Sequence, residues 1–272
     1  MSVTTQWIVD VMEAWSPGRW AVESDNVGLL VGDRAKPVNQ ILTALDLSED
    51  VLREAVEGKF DIVVVHHPLI NRRVQPINSI TTDNVLGRKI ITLIENGIGL
   101  FCAHTNLDAA PGGVNDLLFD MLGLKDKEFL ITPKNPDSPT LGLIGNLQQP
   151  MTMAALVGHV GKVLSLDRVR YVGKDDMQIS KVGICGGNGT DPALVKIAIE
   201  KKCNVYITGD IGYHLGMEAA ENGMGLIDGT HYGTEYPIAK VIMERLKKAA
   251  ETQGFGLTIK MTESDGQVFR ST

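Results

Sequence analysis

"DIVVVHHPLI", residues 61–70, runs through four consecutive apolar residues and stops on two adjacent histidines and a proline. A short, unbroken, β-branched run suits a strand covered on both faces of its sheet, as strands are in parallel α/β folds. Pro68 has no N–H to give to a ladder and bends the chain there. His66 and His67 therefore stand at the C-terminal end of a buried strand, where two titratable rings add nothing to packing.

Outward from this stretch, short apolar runs alternate with amphipathic stretches, which assigns the chain to the α/β class with mainly parallel sheets. Upstream, "TQWIVDVMEAW" (5–15) reads as a helix, "VGLLVGD" (27–33) and "ILTALD" (41–46) as strands, and "SEDVLREAVEG" (48–58) as a helix capped by Ser48. Downstream come a helix in "NVLGRKIITLIENG" (84–97), a strand in "IGLFCAH" (98–104) and a helix in "VNDLLFDMLG" (114–123). The segment "ITPKNPDSPTLG" (131–142) holds three prolines and no apolar periodicity. It marks a linker at 133–139 between a first lobe, 1–132, and a second, 140–272.

The second lobe repeats the rhythm. Strands are expected in "LGLIGNL" (141–147), "RVRYVG" (168–173), "KVGICGG" (181–187), "NVYITGD" (204–210), "GLIDGTH" (225–231) and "LTIKM" (257–261). Helices are expected in "MTMAALVGHVGKVL" (151–164), "PALVKIAIEKK" (192–202), "HLGMEAAENG" (214–223) and "IAKVIMERLKKAAE" (238–251). Laid on the first lobe, "NVYITGD" falls opposite "IVVVHH" and "GLIDGTHYGTE" opposite "IGLFCAHTNLD". That pattern suggests a diverged duplication and two similar lobes. It also places His104-x-x-x-Asp108 and His231-x-x-x-Glu235 at equivalent points.

Composition excludes several classes. Hydrophobic residues at 43% and charged ones at 22% are ordinary for a globular chain with a sizeable core. A formal charge of −7 disfavours nonspecific binding to nucleic acid or anionic membranes. No apolar run approaches the roughly 20 residues that span a bilayer, and the N-terminus shows no signal-peptide pattern. Cys102, Cys185 and Cys203 form no CxxC pair. They read as reduced, buried thiols in a cytoplasmic protein.

Four of the six histidines lie in three clusters, "HHP", "HTNLD" and "HYGTE", each at the C-terminal end of a strand. Ligands of open α/β sheets bind beyond those ends. Any one such histidine alone is more often structural; the three clusters together point to a metal site. Side chains alternate along a strand, so His66 and His67 are expected to diverge and serve two ions about 3.5–4 Å apart, closed by the carboxylates of Asp108 and Glu235. A donor set of imidazole and carboxylate without thiolate selects Zn²⁺, Fe²⁺, Mn²⁺, Co²⁺ or Ni²⁺ over Ca²⁺ or Mg²⁺.

The stretches "ESDNVGLLVGD", "DIVVVHHPLI", "GLFCAHTNLDAAPGGVND", "GICGGNG", "NVYITGDIGYH" and "GTHYGTE" make the chain resemble the Nif-three-like dinuclear-metal family, known as GTP cyclohydrolase 1 type 2 homologues. The resemblance implies two α/β lobes with a di-metal centre in the cleft between them, assembled into homohexamers. It puts the metal ligands on His66, His67, Asp108, His231 and Glu235, with Glu235 bridging, and His104 close by, supporting the ligands or shuttling protons. It also implies hydrolysis of a nucleotide such as GTP. The alternatives are a metal-binding scaffold, metallochaperone or regulatory adaptor, and a metal-dependent phosphatase or phosphodiesterase. Two departures stand out: Ser24 where the family usually has Trp, and Thr230 where it usually has Gly.

"CGGNGTDP" (185–192) is a glycine-rich turn into a helix, capped by Thr190 or Asp191 with Pro192 in the first turn. Such a turn serves structure, or cradles a phosphate on its N–H groups, which makes Gly186, Gly187 and Asn188 candidate substrate contacts. Asp210 and His214 in "ITGDIGYH" are further candidates for a small-molecule substrate, while His159 reads as structural.

Overall fold

The computed structural model describes residues 3–71, 77–133, 140–264 and 266–270. Along the chain run α1 (Thr5–Trp15), β1 (Gly28–Val31), β2 (Gln40–Ala44), α2 (Glu49–Glu57), β3 (Ile62–Val65), α3 (Val85–Glu95), β4 (Gly99–Cys102), α4 (Thr105–Asp108) and α5 (Val114–Met121). There follow β5 (Lys125–Phe129), β6 (Leu143–Thr152), α6 (Met153–Val163), β7 (Arg170–Val172), β8 (Gln178–Ile184), α7 (Pro192–Glu200) and β9 (Val205–Thr208). The chain ends with α8 (Tyr213–Glu221), β10 (Gly225–Asp228), α9 (His231–Glu235), α10 (Ile238–Thr252) and β11 (Thr258–Met261). Among the described residues no helix is long and apolar enough to cross a membrane.

Two compact units result: Met1–Leu107 with Ile238–Gly266, and Asp108–Pro237 with Gln267–Thr272. They differ from the expected lobes at both ends. Strand β11 pairs in parallel with β2, and α10 packs on β2, so the C-terminal helix and strand join the first unit. Strand β5 pairs with β6, which draws the segment before the expected linker into the second. Periodicity reveals what an element is; it does not reveal which sheet edge the element will close. Residues 134–139, most of the expected linker, lie outside the described residues.

The first sheet is ordered β1-β4-β3-β2-β11, parallel except for β1 at its edge. All of β3 is buried, as its unbroken apolar run requires. Val63 and Val65 join a core with Leu52 and Ala55 of α2 and Leu93 of α3, while Ile62 and Val64 point to the other face. Each such side chain contributes about 1.5–3 kcal/mol relative to an exposed one.

The second sheet is ordered β5-β6-β8-β9-β10-β7. Strands β8, β9 and β10 are parallel, whereas the β5–β6, β6–β8 and β10–β7 pairs are antiparallel, so this sheet is mixed where a mainly parallel one was expected. Within it, β7-β10-β9-β8 repeats the order and sense of β1-β4-β3-β2 in the first. The lobe overlay read from the sequence has this counterpart in strand order. Strand β5 escaped the sequence reading because "KDKEF" is exposed throughout and carries no apolar alternation.

Ser48 caps α2 as expected: its hydroxyl accepts from Val51 N at 3.1 Å, and Glu49 and Asp50 favour the same helix end. Ser48→Ala is expected to lower stability by about 1 kcal/mol. A shifted urea midpoint with an unchanged slope would report it.

Candidate metal centre

In the first unit, strand register builds the site. Ala44, Val65 and Cys102 are in register across β2, β3 and β4. Two residues beyond the last paired position of each strand stand Asp46, His67 and His104, so parallel pairing brings a carboxylate and two imidazoles to one end of the sheet. One ligand nitrogen from each of His66, His67 and His104 lies within 4.8 Å of the others. The backbone N–H groups of both His66 and His67 donate to Leu45 O, at 3.1 and 2.9 Å.

The expected divergence of His66 and His67 does not occur. Their ring centroids are 5.0 Å apart with the planes tilted by 45°. The alternation rule fails here because β3 ends at Val65. Beyond it the backbone turns toward Leu45, and both rings stay on the side of His104.

Each imidazole has its Nδ1 engaged by an oxygen. His66, fully buried, donates from Nδ1 to Ala103 O at 2.7 Å. His67 Nδ1 donates to Asp46 at 2.8 Å. His104 Nδ1 donates to Asp25 at 2.9 Å, and Asp25 also accepts from Thr105 N at 3.1 Å and from the Thr105 hydroxyl. An oxygen on one ring nitrogen fixes tautomer and orientation and makes the other, Nε2, the atom that can bind an ion or exchange a proton. Burial works to raise the Asp25 pKa, but the hydrogen bond and charge of His104, with the Thr105 and Asn26 bonds, hold it well below the usual carboxylate range. This is donor chemistry suited to a borderline divalent ion.

In the second unit, α9 follows β10 as α4 follows β4. His231 and Glu235, four residues apart, share one face of α9: His231 Nε2 lies 3.1 Å from Glu235 Oε2, and His231 Nδ1 lies 2.7 Å from Asp210. Glu235 is only 3% exposed, and one of its carboxylate oxygens lies within 4.8 Å of one from Asp108. Two carboxylates this close, one of them buried, repel when both are ionised, and a bound cation relieves that repulsion. Cys185 is buried nearby; burial, then the charge of Asp108, pushes its thiol up to about 12.

The glycine-rich turn frames Glu235. A Cβ on Gly187 (φ +60°) would sit 2.1 Å from Glu235 Oε1 and 3.2 Å from His231 Nε2, so only glycine leaves the carboxylate its place. The turn's amides are committed internally. Gly186 N donates to Asn115 Oδ1 (3.0 Å), Gly187 N to Thr234 Oγ1 (2.9 Å), Gly189 N to Thr208 Oγ1 (2.8 Å) and Thr190 N to Asn188 Oδ1 (3.2 Å). These are the groups that would cradle a phosphate, and they hold the turn in shape instead. Asp191 caps α7, with Pro192 at its start.

Thr230 adopts φ +58° and ψ 152°, a region nearly reserved for glycine. Its hydroxyl compensates in part by capping α9 through Gly233 N at 2.9 Å. Strain of about 1–3 kcal/mol is relieved in Thr230→Gly, against losses of about 0.5–1 kcal/mol in chain entropy and a few tenths for the cap. The variant is expected to be about 1 kcal/mol more stable by denaturant unfolding.

Among the other residues singled out from sequence, Asp210 orients His231, a role better defined than the substrate contact foreseen. His214 is exposed on α8, its ring edge-on to Tyr213 at 5.5 Å. His159 is structural as read, 3.2 Å from Leu122 O. Asp46 and Asp25 join the site as partners of His67 and His104. Asp46 is placed by strand register and Asp25 by the segment before β1, and a linear reading contains neither.

A family model described as Duf34/NIF3 (NGG1p interacting factor 3) matches residues 3–267. The chain is 33% identical over 267 residues to a GTP cyclohydrolase 1 type 2 homolog of Clostridium acetobutylicum, covering 97% of each. It is 36% identical over 247 residues to another of Clostridium perfringens, covering 90% of this chain and 92% of that one. A crystal structure of a Bacillus cereus protein related to NIF3 superposes with a TM-score of 0.91 at 25% identity, covering both chains completely. With a match of this extent in sequence and fold, the chain belongs to the Duf34/NIF3 family.

Proposed function

We propose that the chain is a divalent-metal-dependent hydrolase that takes a nucleotide such as GTP and opens its ring in the manner of a cyclohydrolase. The observation that carries the metal reading is the convergence of three imidazoles, each with Nδ1 engaged by an oxygen. The nucleotide rests on the name shared by the relatives, GTP cyclohydrolase 1 type 2 homolog.

In this reading His66, His67, Asp108, His231 and Glu235 hold two ions drawn from Zn²⁺, Fe²⁺, Mn²⁺, Co²⁺ and Ni²⁺, with Glu235 bridging. Bound divalent ions lower the pKa of a water molecule and polarise the substrate. Asp25 holds His104 by Nδ1, which makes Nε2 the atom that moves a proton during hydrolysis. Asn188 and His214 are the side chains proposed to meet substrate. A cytoplasmic homohexamer is part of the same proposal.

The test is metal analysis of protein isolated without added metal, then assay of the loaded protein on nucleoside triphosphates, phosphodiesters and phosphomonoesters. Metal-dependent loss of the purine chromophore is the expected result. Phosphate release with the chromophore intact would replace the cyclohydrolase reading with a phosphatase or phosphodiesterase. Two bound ions with no turnover on any substrate would favour a scaffold, metallochaperone or regulatory adaptor.

A further inference from the structure

We infer that Asn115 is a positioning residue that holds Asp108 and Glu235 in the arrangement that binds metal. The inference rests on the metal reading above. Asn115 lies in the first turn of α5 and is 3% exposed. A buried amide needs partners for both its ends, and this one joins Asp108, close by in sequence, to the distant Gly186. Its Nδ2 donates to Asp108 O at 3.0 Å, and its Oδ1 accepts from Gly186 N at 3.0 Å. The two bonds also define the orientation of the amide, since the reverse would set NH₂ against N–H and oxygen against carbonyl.

From Gly186 the connection continues to Glu235. The next residue, Gly187, donates its N–H to Thr234 Oγ1 and presents its bare Cα to the Glu235 carboxylate. The main chain of Asp108 is thereby linked through one side chain to the turn that shapes the pocket of Glu235. Two carboxylates with oxygens within 4.8 Å repel when both are ionised. A cross-link between their supporting segments keeps them from drifting apart, so that an ion meets a preformed pair. Alanine removes both bonds. Aspartate keeps the bond to Gly186 but turns the other into an oxygen facing an oxygen.

The test uses the full chain with Co²⁺ as the probe, read by calorimetry, by the visible ligand-field bands at saturation, and by thermal unfolding in chelator. Asn115→Ala is expected to weaken Co²⁺ binding about 10–100-fold, the usual cost of removing a group that orients ligands. Its saturated spectrum should also change, because the carboxylates close on the ion in a different geometry. Should Asn115→Ala fail to fold, the isosteric Asn115→Asp carries the test, and its saturated spectrum should likewise differ from wild type. A variant unfolding at lower temperature in chelator, with affinity and spectrum unchanged, would show a purely structural asparagine and overturn the inference. Wild-type protein that binds no Co²⁺ would overturn the metal reading itself, and this inference with it.

Discussion

Glu235→Ala is expected to lose at least one equivalent of bound metal and, for what remains, to bind more than about 100-fold more weakly, exceeding the usual loss for an outer-sphere partner. Glu235 is buried, faces His231 Nε2 at 3.1 Å and approaches Asp108, so its carboxylate is the group best placed to be shared. Metal-free stability should change little. The substitution removes a buried carboxylate from beside another, while His231 keeps Asp210 at 2.7 Å. What disappears is the stabilisation by metal. At a concentration about 100 times the wild-type Kd, the wild type gains about 2.7 kcal/mol, and the variant should gain almost none of it. Thermal scans with and without metal, alongside elemental analysis, measure both quantities. Wild-type stoichiometry in the variant would sink the bridge.

Gly187→Ala is expected to disable the site nearly as completely, without touching a ligand. The added methyl would lie 2.1 Å from Glu235 Oε1 and 2.8 Å from its Cδ, closer than any real contact, so the carboxylate must swing away. Glu235 is 3% exposed and has little room to move. The left-handed backbone, φ +60°, adds about 1–2 kcal/mol of strain for an L residue. Gly223→Ala separates the two effects. Its φ is +71° and a Cβ there meets nothing within 4 Å, so it carries the backbone strain alone. Both variants should lose stability, and only Gly187→Ala should lose metal by titration. Normal metal binding in Gly187→Ala would show that the turn does not shape the pocket of Glu235.

How far the site could be read in advance depended on the distance over which each feature is encoded. The three strand-end clusters were legible because a buried strand announces itself by local composition, and histidines recur at the ends of three such strands. Ser48 and Asp191 were legible as caps for the same reason. The relation between His66 and His67 was misread, since the rule that separates neighbours holds only while the strand lasts, and β3 stops at Val65. The glycine-rich turn was legible as a turn but not in its purpose. Whether its amides meet a phosphate or Asn115, Thr234 and Thr208 depends on residues far away in sequence.

The sequence by itself determined the α/β class, the sites of the helices and most strands, and the motifs that mark the family, because periodicity and short-range composition specify each of these within some ten residues. Tertiary structure alone decided that β11 closes the sheet begun by β2, that Asp46 and Asp25 orient His67 and His104, and that Gly187 is a mould for Glu235. The closure by β11 and the place of Asp46 follow from register between parallel strands, and those of Asp25 and Gly187 from how loops fold beside the strand ends. Register is a property of segments brought together by folding, and it leaves no local trace in the order of the residues.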